Sequence, residues 1–140
     1  MHHIIYMSRA KNALLPATLA ALLLQARVAN EQQGITGALV YGEGQFMQLI
    51  EGEQLAVAAL YERIAQDPRH EAVFKVADKA ISMRSFTEWS MAFQPVSSAH
   101  FEDLVGYVLP AQLATQLQAD NAADNLLLEK MKELVFSAAA

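Results

Sequence analysis

The 140-residue sequence contains no cysteine, no long apolar run and little positive charge. Without cysteine, the chain can form neither disulfides nor thiolate metal sites. The formal net charge is -5 and the lysines and arginines are scattered, which argues against a broad nucleic-acid-binding surface. No stretch approaches the roughly 20 apolar residues that a membrane-spanning helix requires. We therefore expect a soluble protein that binds neither nucleic acid nor membrane directly.

Signals for export and for metal binding are also missing. The N-terminus lacks a charged region followed by an apolar stretch and a small-residue cleavage site, which fits a cytoplasmic protein. The four histidines, His2, His3, His70 and His100, show no helical His-x-x-x-His spacing and no carboxylate cluster at metal spacing. We therefore expect a cytoplasmic protein with no metal site.

Strand-like and helix-like segments alternate along the first two thirds of the chain. The β-branched and aromatic segment "HIIYMS" predicts a strand, and the leucine repeats of "LPATLAALLLQARVAN" predict a helix that stops by Gly34. "ITGALVY" and "QFMQLIE" flank "GEG", a pattern typical of a β-hairpin. "EQLAVAALYERIAQDP" predicts a second helix, and "VFKVADKAI" and "WSMAFQP" predict two further strands.

This order is β-α-β-β-α-β-β, an α+β arrangement of the ferredoxin-like class with a five-stranded mixed sheet. Two helices cover only one face of such a sheet, so the opposite face needs a cover. Apolar residues from Phe101 to Leu134 recur at helical spacing around Pro110, which predicts C-terminal helices on that opposite face. We therefore divide the chain into a core, residues 1–95, and a C-terminal helical segment, residues 96–140, that packs on the sheet.

Two polar residues stand in predicted strands where apolar residues are usual. Because side chains alternate across a strand, both Tyr6 and Gln48 can enter the core. A buried amide without partners costs about 1–3 kcal/mol, and the phenol of Tyr6 is a candidate partner for Gln48. The residues alone leave open that each polar group is satisfied separately by backbone or water.

Five other residues have ordinary structural explanations when taken singly. Asn30 is a residue type found at helix C-termini, and Arg63 and Asp67 have the i,i+4 spacing of a surface ion pair worth about 0.3–0.5 kcal/mol. Trp89 and Met91 suit a core aromatic and a gap-filling side chain. None of these residues indicates a function by itself.

Together, however, these residues lie in segments that resemble a BLUF domain, the blue-light sensor that uses FAD. The matching segments are "IIYMS", "NEQQGITGALVY", "FMQLIEGE", "LYERIAQDPRH" and "FTEWSM". They span nearly all of residues 3 to 93 in the family's order and at its spacing. In this interpretation residues 1–95 are a flavin-binding core. The family often has a second polar residue where this chain has Ala29, so we expect the flavin affinity or spectrum of this chain to differ from those of similar proteins.

The resemblance implies that FAD is held non-covalently between the two helices. Tyr6 would be the photoactive tyrosine and Gln48 the glutamine whose hydrogen bonds switch. Asn30 and Arg63 would hydrogen-bond the flavin or its surroundings, and Asp67 would orient that arginine.

Apolar contacts and the signal path are implied in the same way. Leu22 and Ile64 would sandwich the flavin ring between the helices. Trp89 and Met91 match the segment that relays the signal from the glutamine, and the sequence leaves open which of the two points inward.

In similar proteins, light moves an electron from the tyrosine and a proton through the glutamine, and a new hydrogen-bond arrangement with red-shifted absorption remains. The resemblance therefore implies a photoreceptor and not an enzyme. A chain of this length has no room for a nucleotide cyclase, so we expect output to an unidentified downstream protein, together with homo-oligomer formation.

Two alternatives remain at the level of sequence. The α+β order equally allows a non-photoactive ferredoxin-like module that binds a small ligand or a protein between its helices. A small hydrolase such as an acylphosphatase is less compatible, because "RAKNALLP" has no glycine with which to form an anion-binding loop.

Overall fold

The computed structural model describes residues 1–12, 15–42, 44–87, 91–95, 97, 99, 101 and 128–134. In this part of the chain, two helices and five strands follow one another in the predicted order, and residues 128–134 are also helical. The elements are β1 (His2–Ala10), α1 (Pro16–Gln33), β2 (Thr36–Gly42), β3 (Gln45–Gly52), α2 (Gln54–Ala65), β4 (His70–Ala80) and β5 (Ala92–Pro95).

The five strands form one mixed sheet in the order β4-β1-β3-β2-β5. β1 is antiparallel to both β3 and β4, and β2 is antiparallel to β3 but parallel to β5. The predicted fold class is therefore confirmed. Because β1 and β3 are neighbours at the centre of the sheet, residues of "HIIYMS" and "FMQLIEGE" face each other directly.

Two glycines with positive φ lie where the sequence predicts the end of the first helix and the hairpin turn. Gly34 follows α1 with a left-handed φ of 68°, and its N–H bonds to the carbonyls of Asn30 and Glu31. Gly44 has a φ of 83° in the predicted hairpin between β2 and β3. Both conformations favour glycine, which lacks the Cβ atom that would clash there.

Three element boundaries differ from the predicted ones. α2 ends at Ala65 and not near Pro68, so Asp67 lies outside the helix. β4 begins at His70, because a bulge that includes Ala72 at a φ of 53° extends its pairing with the end of β1. β5 begins at Ala92, which leaves Met91 immediately before the strand.

The helices α1 and α2 pack on one face of the sheet. Buried side chains from both helices and three strands form a cluster there. Its members are Ile4, Leu19, Leu23, Ile35, Leu39, Ile50, Val57 and Met91.

The opposite face carries a second buried cluster, formed by Ile5, Ala38, Val40, Met47, Leu49, Phe86, Phe101, Leu128 and Met131. Leu128 and Met131 belong to the helical stretch 128–134, so part of the C-terminal segment covers this face. The division of the chain at residue 95 stays a prediction, because residues 102–127 lie outside the described residues.

Candidate functional site

A cavity of about 240 Å³ lies between the two helices and the sheet. Side chains from both helices and from β1, β2, β3 and β4 line it, together with the turn after α2 and the residue before β5. Its lining consists of Tyr6, Leu19, Leu22, Leu23, Ala26, Ala29, Asn30, Leu39, Phe46, Gln48, Leu60, Arg63, Ile64, Asp67, Arg69, His70 and Met91. The structure thus brings together every predicted site residue except Trp89, which lies outside the described residues.

Tyr6 and Gln48 lie opposite each other on β1 and β3. Both side chains are buried, and the Tyr6 hydroxyl donates a hydrogen bond to Gln48 Oε1. Burial raises the pKa of the Tyr6 phenol above its ordinary value, and the nearby Tyr61 and Asp67 raise it further. The phenol is therefore a neutral hydrogen-bond donor, and the two polar groups are not satisfied separately.

The other end of the Gln48 amide contacts the residue before β5. Gln48 Nε2 donates to Met91 Sδ at 3.3 Å, and Met91 is only 1% exposed. Met91 therefore points inward, which the sequence left open. The phenol, the amide and the thioether form a continuous chain of contacts that spans β1, β3 and the start of β5.

Asn30 and Arg63 lie at different depths. Asn30 is buried in the last turn of α1, where its carbonyl accepts the N–H groups of Gly34 and Ile35 and fixes the position of the residue. Arg63 is exposed and lines both the cavity and an open groove bounded by Gln33 and Gln66. Asn30 is thus inside the cavity and Arg63 at its rim.

Asp67 is paired with Arg69 and not with Arg63, which corrects the predicted orientation of that arginine. Asp67 Oδ1 accepts from the Arg69 backbone N–H and from Arg69 Nε, each at 2.9 Å, and Oδ2 contacts Arg69 Nη2. The hydrogen bond from the Arg69 side chain lowers the pKa of Asp67 to about 2. The i,i+4 argument fails because α2 ends before Asp67. The Asp67-Pro68 sequence is typical of a turn, and it was the available sign that the chain leaves the helix here and brings Arg69 close to Asp67.

His70, like Arg69, lines the cavity although neither residue has a role predicted from the sequence. Its ring nitrogens contact Ser8 Oγ at 2.8 Å and the Ile64 carbonyl, and its ring lies edge-on to Tyr6 with centroids 6.3 Å apart. It therefore ties the start of β4 to β1 and to α2. No local sequence pattern indicates contacts between residues so far apart in the chain.

The cavity suits a flat aromatic ring with polar edges. Leu22 and Ile64 supply apolar walls from the two helices, while Asn30 and Gln48 supply amide donors and acceptors. Its volume of about 240 Å³ lies somewhat below the roughly 300–1,000 Å³ that is usual for ligand pockets. The residues present therefore fit the ring system of FAD, and the remainder of that cofactor would extend past the rim.

Residues 1–92 match the family described as BLUF, sensors of blue-light using FAD. The chain belongs to the BLUF family. It is a blue-light sensor domain that uses FAD, and this membership favours the photoreceptor over both alternatives left open by the sequence.

A curated relative of this BLUF chain is the photoactivated adenylate cyclase subunit beta of Euglena gracilis. It is 33% identical over 138 residues, which cover 87% of this chain and 16% of the relative. The chain thus spans only about 16% of the length of this relative, a photoactivated adenylate cyclase subunit.

Two solved BLUF structures resemble the chain over most of its length. BlsA in its photo-activated state has a TM-score of 0.72 and 28% identity, and the match covers 93% of each chain. BlrB, a BLUF protein in its dark state, has a TM-score of 0.65 and 28% identity, with 91% of this chain and 96% of that chain covered.

Two negative findings apply to the described ranges only. Within them, no helix has the length and apolarity needed to cross a membrane. The same residues contain no group of three or more side chains arranged to hold a metal ion.

Proposed function

We propose that blue light resets the hydrogen bonds of Gln48 in this chain and that Met91 passes the change to β5. The observation that carries this proposal is the continuous contact from the Tyr6 hydroxyl through the Gln48 amide to the Met91 sulfur. Each of the three side chains is buried, so the surrounding protein shields the contacts from exchange with solvent.

Tyr6 is the electron and proton donor in this proposal. When held between α1 and α2, FAD would supply the light absorption and the electron acceptor for this step. The phenolic proton leaves Tyr6 along its hydrogen bond to Gln48 Oε1, which is the acceptor in the structure. Return of the electron and proton to Tyr6 restores the phenol, so no net reaction remains.

Gln48 retains the change because an amide is a donor at one end and an acceptor at the other. If rotation or tautomerisation exchanges these roles, the donor end faces the Tyr6 oxygen, which has lone pairs to accept it. An acceptor then faces the Met91 sulfur, which is also an acceptor. This contact is unfavourable, and Met91 is expected to move.

The remaining roles follow the lining of the cavity. We infer that Asn30 hydrogen-bonds the polar edge of the flavin, that Leu22 and Ile64 sandwich its ring, and that Arg63 contacts it from the rim. Asp67 contributes by holding Arg69 at the mouth of the cavity.

The output is proposed to pass through β5. Among the described strands β5 pairs only with β2, so it is an edge strand that can shift with little loss of pairing. The chain would act as a sensor and not as an enzyme, on a separate protein or domain, and as a homo-oligomer. Trp89 is a further proposed relay residue, and a cytoplasmic location stays a prediction.

Tyr6→Phe tests the proposal. Protein purified from flavin-replete cells should be yellow and should show a reversible red shift of flavin absorption under blue light. Tyr6→Phe should still bind FAD, because only a hydroxyl is lost, but its red shift should be absent. A colourless protein that takes up no added FAD, or a normal red shift in Tyr6→Phe, would contradict the proposal.

A further inference from the structure

Arg27 connects α1 to the residue that precedes β5. Its Nε donates a hydrogen bond to the Met91 backbone carbonyl at 2.9 Å, and the contact is partly buried. Arg27 is the single lysine or arginine within α1, so no other cation of that helix can take its place.

Met91 is a position where an additional restraint has a large effect. The register of β5 with β2 begins at Ala92, so Met91 lies at the end of the strand ladder. Its side chain has three rotatable bonds and adapts easily to its surroundings. The 3.3 Å contact between Gln48 Nε2 and Met91 Sδ therefore depends on where the Met91 backbone is held.

The same helix carries a residue of the cavity one turn away. Asn30 is buried and lines the cavity, whereas Arg27 reaches across to Met91. A helix transmits position along its length as a rigid element. α1 therefore links the proposed flavin contact to the start of β5 independently of Gln48.

We propose that Arg27 is a positioning residue for the glutamine switch, a role that rests on the proposed function of Gln48. Arg27 holds the Met91 carbonyl and thereby keeps the Met91 sulfur in contact with the amide in the dark arrangement. When the exchanged amide displaces Met91, this hydrogen bond supplies the restoring interaction. Loss of Arg27 therefore prolongs the light-induced state.

The proposal is tested with Arg27→Gln, Arg27→Lys, Met91→Leu and the double variant Arg27→Gln/Met91→Leu in the flavin-loaded protein. Dark recovery of the absorption band gives the lifetime of the light-induced state. The ¹³C NMR resonance of the Met91 methyl group, recorded in the dark, reports the position of the thioether without any photoreaction. Urea unfolding measures stability separately.

We expect Arg27→Gln to lengthen the lifetime about tenfold, as for loss of one charge-assisted hydrogen bond, and to move the Met91 methyl resonance. Arg27→Lys keeps the positive charge on a different donor group, so its lifetime should lie between those of the wild type and Arg27→Gln. In the Met91→Leu background the sulfur is absent, so Arg27→Gln should change the lifetime by less than about twofold. A merely structural arginine would lower stability equally in both backgrounds and leave the lifetime unchanged.

Arg9→Gln is the matched control, since it removes a guanidinium whose observed ion pair is with Glu71 on the exposed side of β1 and β4. Its lifetime should equal that of the wild type. If the wild type shows no reversible red shift, the proposed function fails, and the methyl resonance still tests the position of Met91. If the wild type responds normally and Arg27→Gln matches it in lifetime and resonance, the role of Arg27 alone is refuted. Should Arg27→Gln lose its flavin, Arg27→Lys supplies the same comparison.

Discussion

The two faces of the sheet differ in what they bury. The face under α1 and α2 holds the polar groups of Tyr6, Gln48 and Asn30 around a cavity of about 240 Å³. The opposite face is an apolar cluster in which the large side chains of Phe86 and Phe101 fill the space against the strands. Strand alternation makes this separation possible, because consecutive residues of β3 serve a ligand site and a packed core in turn.

Each face nevertheless contains a buried polar residue from β3, and the partners of the two differ. Glu51 is 0% exposed, and its carboxylate accepts the backbone N–H groups of Ser85 at 2.8 Å and Phe86 at 2.6 Å. It also accepts the Thr36 hydroxyl at 3.1 Å. Glu51 is thus fixed partly by main-chain donors, whereas the partners of Gln48 are two side chains that can rotate. We therefore expect Gln48 to exchange hydrogen-bond partners more readily than Glu51.

Gln48→Leu and Leu49→Ala should separate the two faces most clearly. Gln48→Leu removes the switching amide, so the red shift should vanish while stability changes by about 1 kcal/mol, the cost of an unpaired Tyr6 hydroxyl. Leu49→Ala opens a cavity in the opposite core, where Leu49 is 0% exposed, so stability should fall by about 3 kcal/mol with the red shift retained. Absorption spectra and urea unfolding measure both quantities.

The Tyr6→Phe/Gln48→Leu double variant is the control for this comparison. Removing both partners of a buried hydrogen bond leaves neither unsatisfied, so its stability should recover toward that of the wild type. A loss of red shift in Leu49→Ala comparable with that in Gln48→Leu would show that the faces are not independent.

Glu51→Ala should have the next largest effect, now on the polar group held by backbone. It leaves the N–H groups of Ser85 and Phe86 without their carboxylate, and we expect about 2 kcal/mol less stability. Glu51→Gln retains one acceptor oxygen and should lose less. Urea unfolding checks both values, and equal stability of Glu51→Ala and the wild type would contradict the assigned role of the carboxylate.

Local patterns predicted the order of helices and strands along the chain and showed that Tyr6 and Gln48 can both enter the core, because alternation and helical periodicity are properties of short segments. The same patterns left open whether Tyr6 and Gln48 contact each other, and only the family resemblance gave the two residues their roles. Local patterns also missed Arg27 and Glu51, whose partners Met91 and Phe86 lie far along the chain. Contacts of this kind depend on how the elements pack, and no spacing in one sequence encodes them.

The smallest predicted effect concerns acid stability at the rim of the cavity. The hydrogen bond from Arg69 lowers the pKa of Asp67 to about 2, from the ordinary 3.8. A carboxyl group with a lowered pKa stabilises the fold above its unfolded pKa, and this contribution is lost as the pH falls from about 4 to about 2. Because the Arg69 side chain is 56% exposed, solvent screening limits the contribution to under about 1 kcal/mol.

Asp67→Asn should therefore be slightly less stable than the wild type at neutral pH, and the difference should shrink below about pH 4. Urea midpoints measured across this range give the result, with Arg69→Gln as the background in which Asp67→Asn has no further effect. The red shift should persist in both variants, because neither side chain belongs to the chain of contacts from Tyr6 to Met91. A pH-independent difference would instead assign the effect of Asp67 to the shape of the turn, since asparagine can still accept the Arg69 backbone N–H.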